Sequence, residues 1–229
     1  MASARGSFAE YAAARQDKLV PKPTGLSFEQ AATVAVSGLA AIKGLHTGRI
    51  PAGQKVLIIG ASGGVGTYAV QLAKAFGAKV TGVASTGKVG LVRSIGADEV
   101  IDYTRADFAD GRQHYDLILD IGGNSRLSRL RRALTPKGTL VIAGSEGARW
   151  TGVGRQTRAL MLSLVVPQRL TMYVSSTSKR QADLEALRQH IENGHLTPIV
   201  GKTYPLPDVP EAIRHLEGGR AQGKIAITV

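Results

Sequence analysis

Lys55–Gly66, KVLIIGASGGVG, decides the fold. The run KVLIIG is apolar without alternation, the pattern of a strand covered on both faces, as in a parallel sheet. The seven residues from Gly60 to Gly66 (GASGGVG) include four glycines. From Gly64 to Phe76 the pattern turns helical, with Val65, Ala69, Leu72, Ala73 and Phe76 on one side and Gly77 as the stop. A buried strand, a glycine-rich turn and a helix in that order make an anion cradle. The glycines let the backbone come close to a pyrophosphate, and the helix N-terminus offers amide donors and positive potential. Against G-x-G-x-x-G, the marked positions hold Ala61, Gly63 and Gly66, so alanine replaces the first glycine.

The alternation continues on both sides of this unit. Strands are expected at Lys79–Ser85, Glu99–Tyr103, Asp116–Ile121 and Gly138–Ala143. Helices are expected at Lys88–Ile95, capped by Gly96, and near Leu127–Leu134, stopped by Pro136. Five strands separated by helical crossovers imply an α/β fold with a doubly wound parallel sheet, a Rossmann-type domain. Before it, Phe28–Leu45 is expected to be helical. After it come a helix at Gln156–Leu164, a strand near Leu170–Ser175 and a helix at Lys179–Glu192 ended by Asn193-Gly194. The strand Ile199–Tyr204, the helix Val209–Glu217 and the strand Lys224–Val229 complete the chain.

The choice of dinucleotide turns on the end of the second strand, where an acid would hold the ribose 2′-hydroxyl of NAD. No Asp or Glu occurs from Thr67 to Ala97, and the strand runs into Ser85-Thr86-Gly87-Lys88. Hydroxyls and a lysine suit a 2′-phosphate, so NADP(H) is the expected cofactor, with Ser85, Thr86 and Lys88 around the phosphate.

Composition narrows the alternatives. The 229 residues are 43% apolar and 20% charged, ordinary for a globular chain. The absence of cysteine removes disulfides, thiolate nucleophiles and cysteine-ligated zinc, and the five histidines lack metal-ligand spacing, so no metal is expected. A net charge of +12 invites nucleic acid as a partner. The basic residues are dispersed, however, and the densest group (Arg126, Arg129, Arg131, Arg132) partly wraps a helix. Aromatics are only 5%, too few for a stacking platform, so nucleic acid is disfavoured without being excluded. The longest apolar stretch, Ala159–Val166, is too short to span a bilayer. No membrane association is expected, and the expected setting is cytoplasmic.

The segments GASGGVGTYAVQLAKAFGAKVTGVAS, GADEVIDY, LTPKGTLVIAG and GKIAITV resemble the zinc-independent, quinone oxidoreductase-like branch of the medium-chain dehydrogenase/reductases. The resemblance implies pyrophosphate contacts at Ser62, Gly63, Gly64 and Val65 and phosphate contacts at Ser85 and Lys88. It places Tyr103 near the adenosine ribose phosphate, and Ile121, Gly122, Gly144 and Ser145 toward the nicotinamide. It also implies a division of the chain. Residues 1–24 would be the remnant of an N-terminal barrel-like catalytic domain, 25–177 the dinucleotide-binding domain, and 178–229 the return to the catalytic domain. The flanking remnants would expose apolar surface that the rest of the barrel covers in relatives.

Two positions depart from the family pattern: Ala40 stands where many relatives carry threonine, and Gln222 replaces a frequent arginine, with Arg220 close by. No side chain is singled out as catalytic; Tyr11 and Tyr173 are available hydroxyls off any motif. The implied activity is NADPH-dependent, metal-free hydride transfer to a quinone or an α,β-unsaturated carbonyl. An enoyl-thioester reductase, or a truncated NADPH- or RNA-binding protein without turnover, are the alternatives. The strand near Leu170–Ser175 is expected to be a sheet edge through which two copies pair.

Overall fold

The computed structural model describes residues 6–122, 125–143, 151–172 and 180–229. Helix α1 (Phe28–Gly48) leads into β1 (Lys55–Ile59), α2 (Gly66–Ala75), β2 (Lys79–Ala84), α3 (Val89–Ser94) and β3 (Glu99–Asp102). Then follow β4 (Tyr115–Asp120), α4 (Leu127–Arg132), β5 (Leu134–Ile142), α5 (Thr151–Leu162) and β6 (Arg169–Met172). These strands form one sheet in the order β3-β2-β1-β4-β5-β6, every pairing parallel. The chain closes with α6 (Arg180–Glu192), β7 (Val200–Pro205), α7 (Val209–Glu217) and β8 (Lys224–Thr228), with β7 and β8 paired as a separate parallel ribbon.

The sheet is doubly wound, and β1 shows why its sequence does not alternate. Val56 and Ile58 enter one core with Val34, Ile42 and Leu45 of α1, Leu72 of α2 and Leu184 and Leu187 of α6. Leu57 and Ile59 enter the other with Ile118, Leu130 of α4, Leu140 and Ala159 of α5. Both faces are covered, so both sets of side chains are apolar. Helix α1 starts with a capping box, in which Ser27 accepts from the Gln30 amide and Gln30 reaches back to the Ser27 amide. It lies close on the sheet because Gly44 and Gly48 have no side chain; a Cβ on Gly48 would sit 2.6 Å from Leu117 Cδ2.

Two expectations need correction. The sheet has six strands rather than five. The sixth, β6, is the edge strand anticipated near Leu170–Ser175, of which 173–175 lie outside the described residues. Pro136 does not stop α4, which ends at Arg132; it lies within β5. The register jumps from Tyr115↔Leu134 to Leu117↔Thr139, so the extra residues form a bulge. A proline, having no amide to donate, is tolerated there.

Tyr68 is wholly buried in the α1–α2 contact and shares a 3.0 Å hydrogen bond with Thr33. Burial pushes its phenol from 10.0 up to about 12, and burial raises Tyr115 as well. The folded state therefore favours the protonated phenol. That stability is complete below pH 10 and is lost as pH rises from there toward about 12. Urea unfolding of the wild type should lose about 2 kcal/mol across this window. Tyr68→Phe should flatten that part of the profile; an unchanged alkaline slope in the variant would refute the assignment.

Candidate functional site

The site lies at the carboxyl ends of β1 and β4, neighbours whose crossovers run to opposite sides of the sheet. Gly60 ends β1 with a left-handed φ of 84°. A Cβ there would come within 3.1 Å of the Gly122 amide nitrogen, so the first turn residues of the two strands are nearly in contact. The amides of Ile121 and Gly122 both donate to Ile59 O, at 3.1 Å each.

Alanine at position 61, where the motif has glycine, is accommodated by β2. Ala61 N donates to Val83 O at 3.1 Å, and its methyl lies against Gly82, where a Cβ would be 3.1 Å away. Gly66 leaves no such freedom, since a Cβ on it would overlap Gly60 O and lie 2.7 Å from two Ala61 backbone atoms. Gly63 is different, because a Cβ there would meet only Gly60 O, at 3.4 Å. Its surface is open to an approaching phosphate. No side chain caps α2, leaving donors of its first turn to an anion. An open glycine face beside an uncapped helix N-terminus fits a pyrophosphate.

The second group of expected residues forms a shelf at the ends of β2 and β3. Thr86–Lys88 is a 3-10 turn closed by Lys88 N donating to Ser85 O at 2.9 Å. Tyr103 N donates to Ala84 O, which brings its 60%-exposed ring alongside. The Thr86 hydroxyl donates to Asp102 Oδ2 at 2.6 Å, and Thr104 donates to Oδ1 through its amide and hydroxyl. The Thr86 hydroxyl, followed by Thr104, holds the Asp102 carboxyl below its ordinary range. In this arrangement the Thr86 hydroxyl proton is committed, and the shelf donors left for a phosphate are the Ser85 hydroxyl, Lys88 and backbone amides. Gly144 and Ser145, expected at the nicotinamide end, lie outside the described residues, as does Tyr173; Tyr11 is 89% exposed.

Two groups escaped the sequence reading. Asp102 stands one strand beyond the stretch searched for an acid. Lys224, the first residue of β8, crosses the glycine loop: a Cβ on Gly64 would lie 2.5 Å from its Cδ and 3.5 Å from its Nζ. Burial lowers the Lys224 pKa. The preceding residue, Gly223, donates its amide to Ser62 O at 2.9 Å, so the C-terminal turn is laced to the glycine loop. The only hint in sequence was a Gly-Lys pair after a Gly-rich turn.

Elsewhere, the basic cluster on α4 is partly spoken for. Arg129 pairs with Asp107 at 2.7 Å and lies over the Phe108 ring, and Arg131 exchanges hydrogen bonds with Gln168. A cavity of about 610 Å³ lined by Leu45, His46, Arg49, Ile50, Pro51 and Phe76 lies at the opposite, amino end of β1 and contains none of the expected site residues. Among the described residues, no group of three or more His, Cys, Asp or Glu is placed to hold a metal, and no helix is long and apolar enough to cross a membrane.

Comparison with known proteins agrees with this fold. A family model described as zinc-binding dehydrogenase matches residues 95–227. The chain is 32% identical over 231 residues to the quinone oxidoreductase of Homo sapiens, covering 97% of this chain and 69% of that protein. It is 34% identical over 226 residues to the chloroplastic NADPH-dependent alkenal/one oxidoreductase of Arabidopsis thaliana, covering 97% and 53%. The solved structure of the quinone oxidoreductase from Coxiella burnetii superposes with a TM-score of 0.82 at 26% identity, covering 94% of this chain and 65% of that one. The chain thus spans about half to somewhat over two thirds of the length of the curated relatives it matches.

Proposed function

The chain belongs to the zinc-binding dehydrogenase family, in the medium-chain group that contains the quinone oxidoreductases, and from that premise we propose an NADPH-dependent oxidoreductase that reduces a quinone or an α,β-unsaturated carbonyl. The observation that carries the proposal is the open glycine face at Gly63 beside the uncapped N-terminus of α2, at the switch point of the sheet. When bound, the nicotinamide supplies the hydride, and the protein supplies binding and orientation.

In this reading Ser62, Gly63, Gly64 and Val65 hold the pyrophosphate: the Gly63 amide closes the loop on Gly60 O at 3.1 Å, so Gly63 serves through its open face and the others through backbone amides, with Lys224 as the cation above them. Ser85, Lys88 and the Thr86 backbone take the 2′-phosphate, with Tyr103 alongside the adenosine ribose. Ile121 and Gly122 face the nicotinamide end, the end to which the resemblance also assigns Gly144 and Ser145, which lie outside the described residues. The proposed hydride transfer does not call on zinc: the nicotinamide supplies the hydride, and these residues hold and orient it. Residues 1–24 and 178–229 are assigned to the substrate-binding domain, and 25–177 to the dinucleotide domain. NADPH preference rests on the lysine and hydroxyl at the end of β2, and the name of the Arabidopsis relative is in keeping with it. A cytoplasmic setting belongs to the same proposal.

The proposed partner is a second copy, joined through β6. This strand is an edge of the sheet, and Met161, Leu164 and Val165 beside it are 74%, 86% and 79% exposed. Pairing two such edges removes unpaired backbone groups and covers apolar side chains. Sedimentation at micromolar protein should show a dimer that Thr171→Pro, placed in the edge strand, converts to monomer; a monomeric wild type would refute it.

Activity is tested by following NADPH oxidation with one simple quinone and one enone. Turnover that depends on the acceptor supports the assignment. NADPH bound tightly with no oxidation by either acceptor would remove the reductase reading and leave a binding protein.

A further inference from the structure

Lys88 stands on the shelf assigned to the 2′-phosphate, yet both hydrogen bonds of its ammonium leave the shelf. It donates to Gly219 O at 2.8 Å and to Ala221 O at 2.9 Å, carbonyls 131 and 133 residues away in sequence. Both belong to the turn between α7 and β8. The other end of this turn is fastened to the glycine loop and to the segment before β7: Gly223 N donates to Ser62 O, and Lys224 N to Ile199 O, each at 2.9 Å. Gly223 has a left-handed φ of 62°, and a Cβ on it would overlap Ile199 O, so the fastening is close. The next side chain is Lys224, lying across Gly64.

We propose that Lys88 is a positioning residue for Lys224: by gripping the carbonyls of Gly219 and Ala221 it fixes the turn that holds the Lys224 ammonium over the pyrophosphate loop. The inference rests on the dinucleotide reading above and deepens it, because it couples two phosphate subsites through protein. An ammonium has three N–H donors. Two serve the turn, and the third remains for a 2′-phosphate. A cofactor carrying that phosphate therefore braces the turn as it binds, whereas one lacking it meets a turn held by Lys88 alone.

NADH provides the test, because it has a pyrophosphate and no 2′-phosphate. A lysine serving only the 2′-phosphate has no effect on NADH. The clasp predicts that Lys88→Met, which keeps the alkyl stem, weakens NADH binding by about three- to tenfold, and that adding it to Lys224→Met causes little further loss. Hydrogen exchange of the ligand-free protein should quicken at the Gly223 and Lys224 amides in Lys88→Met and stay unchanged in β1, β2 and β4. Unaltered NADH affinity in Lys88→Met, or losses that simply add in the double variant, would overturn the inference. Either result could stand with an intact NADPH preference in the wild type, so it would leave the dinucleotide reading in place. A wild type that binds neither cofactor would remove both.

Discussion

Gly66→Ala should lower stability by about 3 kcal/mol or more, at or beyond the upper end of ordinary overpacking, with a fall in Tm of roughly 2–4 °C for each kcal/mol in a chain of this size. The reason is geometric. The added Cβ would overlap Gly60 O and press on two backbone atoms of Ala61. Backbone has no rotamer to yield, so α2 has to move off β1. Val70, Leu72 and Ala73 would then lose packing in the core that also holds Val56 and Ile58. Gly63→Ala is the matched comparison. Its Cβ would meet only Gly60 O, at 3.4 Å, so the fold should tolerate it while the bound pyrophosphate is pushed away. Thermal melts and an NADPH titration of the two variants separate the roles: Gly66 is required by the fold, Gly63 by the ligand. A Gly66→Ala protein melting like wild type would show that strand and helix are less closely apposed than described.

Lys224→Met should weaken binding of NADPH and NADH alike, by about ten- to a hundredfold, the range expected for a charge-assisted hydrogen bond. Both cofactors carry the pyrophosphate, so both lose the same cation. Stability should hold or rise slightly, because a desolvated ammonium is replaced by an apolar chain of similar length. The lowered pKa of Lys224 adds a pH dependence with a definite sign. As pH rises, this lysine loses its charge earlier than an ordinary one, and dinucleotide affinity should decline below the usual lysine range. Lys224→Met should lack that decline. An effect confined to NADPH would instead place Lys224 at the 2′-phosphate.

The parts of the fold legible in sequence were those fixed by local pattern. The unbroken apolar run at Val56–Ile59 is the pattern of a strand covered on both faces, as in a parallel sheet, and the structure divides it between two cores. The glycine loop was legible because Gly60, Gly64 and Gly66 each sit at a close approach, while Gly63 leaves an open face. Pro136 misled because a proline after a helix-like run ordinarily stops a helix, whereas here a strand bulge absorbs it. Asp102 reaches Thr86 only because β3 pairs with β2. No chain-linear search for an acid after β2 anticipates a carboxylate arriving from the next strand. The C-terminal turn was illegible for a stronger form of the same reason. Lys88, Gly219 and Ala221 meet across more than half the chain, and nothing in Gly-Gly-Arg-Ala-Gln-Gly announces that its carbonyls will bind a lysine from the turn after β2.

Whether the dinucleotide site prefers a 2′-phosphate is decided by parallel titrations of the wild-type chain with NADPH and NADH, followed by reduced-nicotinamide fluorescence. Saturable binding of both is expected, with NADPH tighter by about tenfold or more. Equal affinities, a preference for NADH, or no binding of either would contradict it.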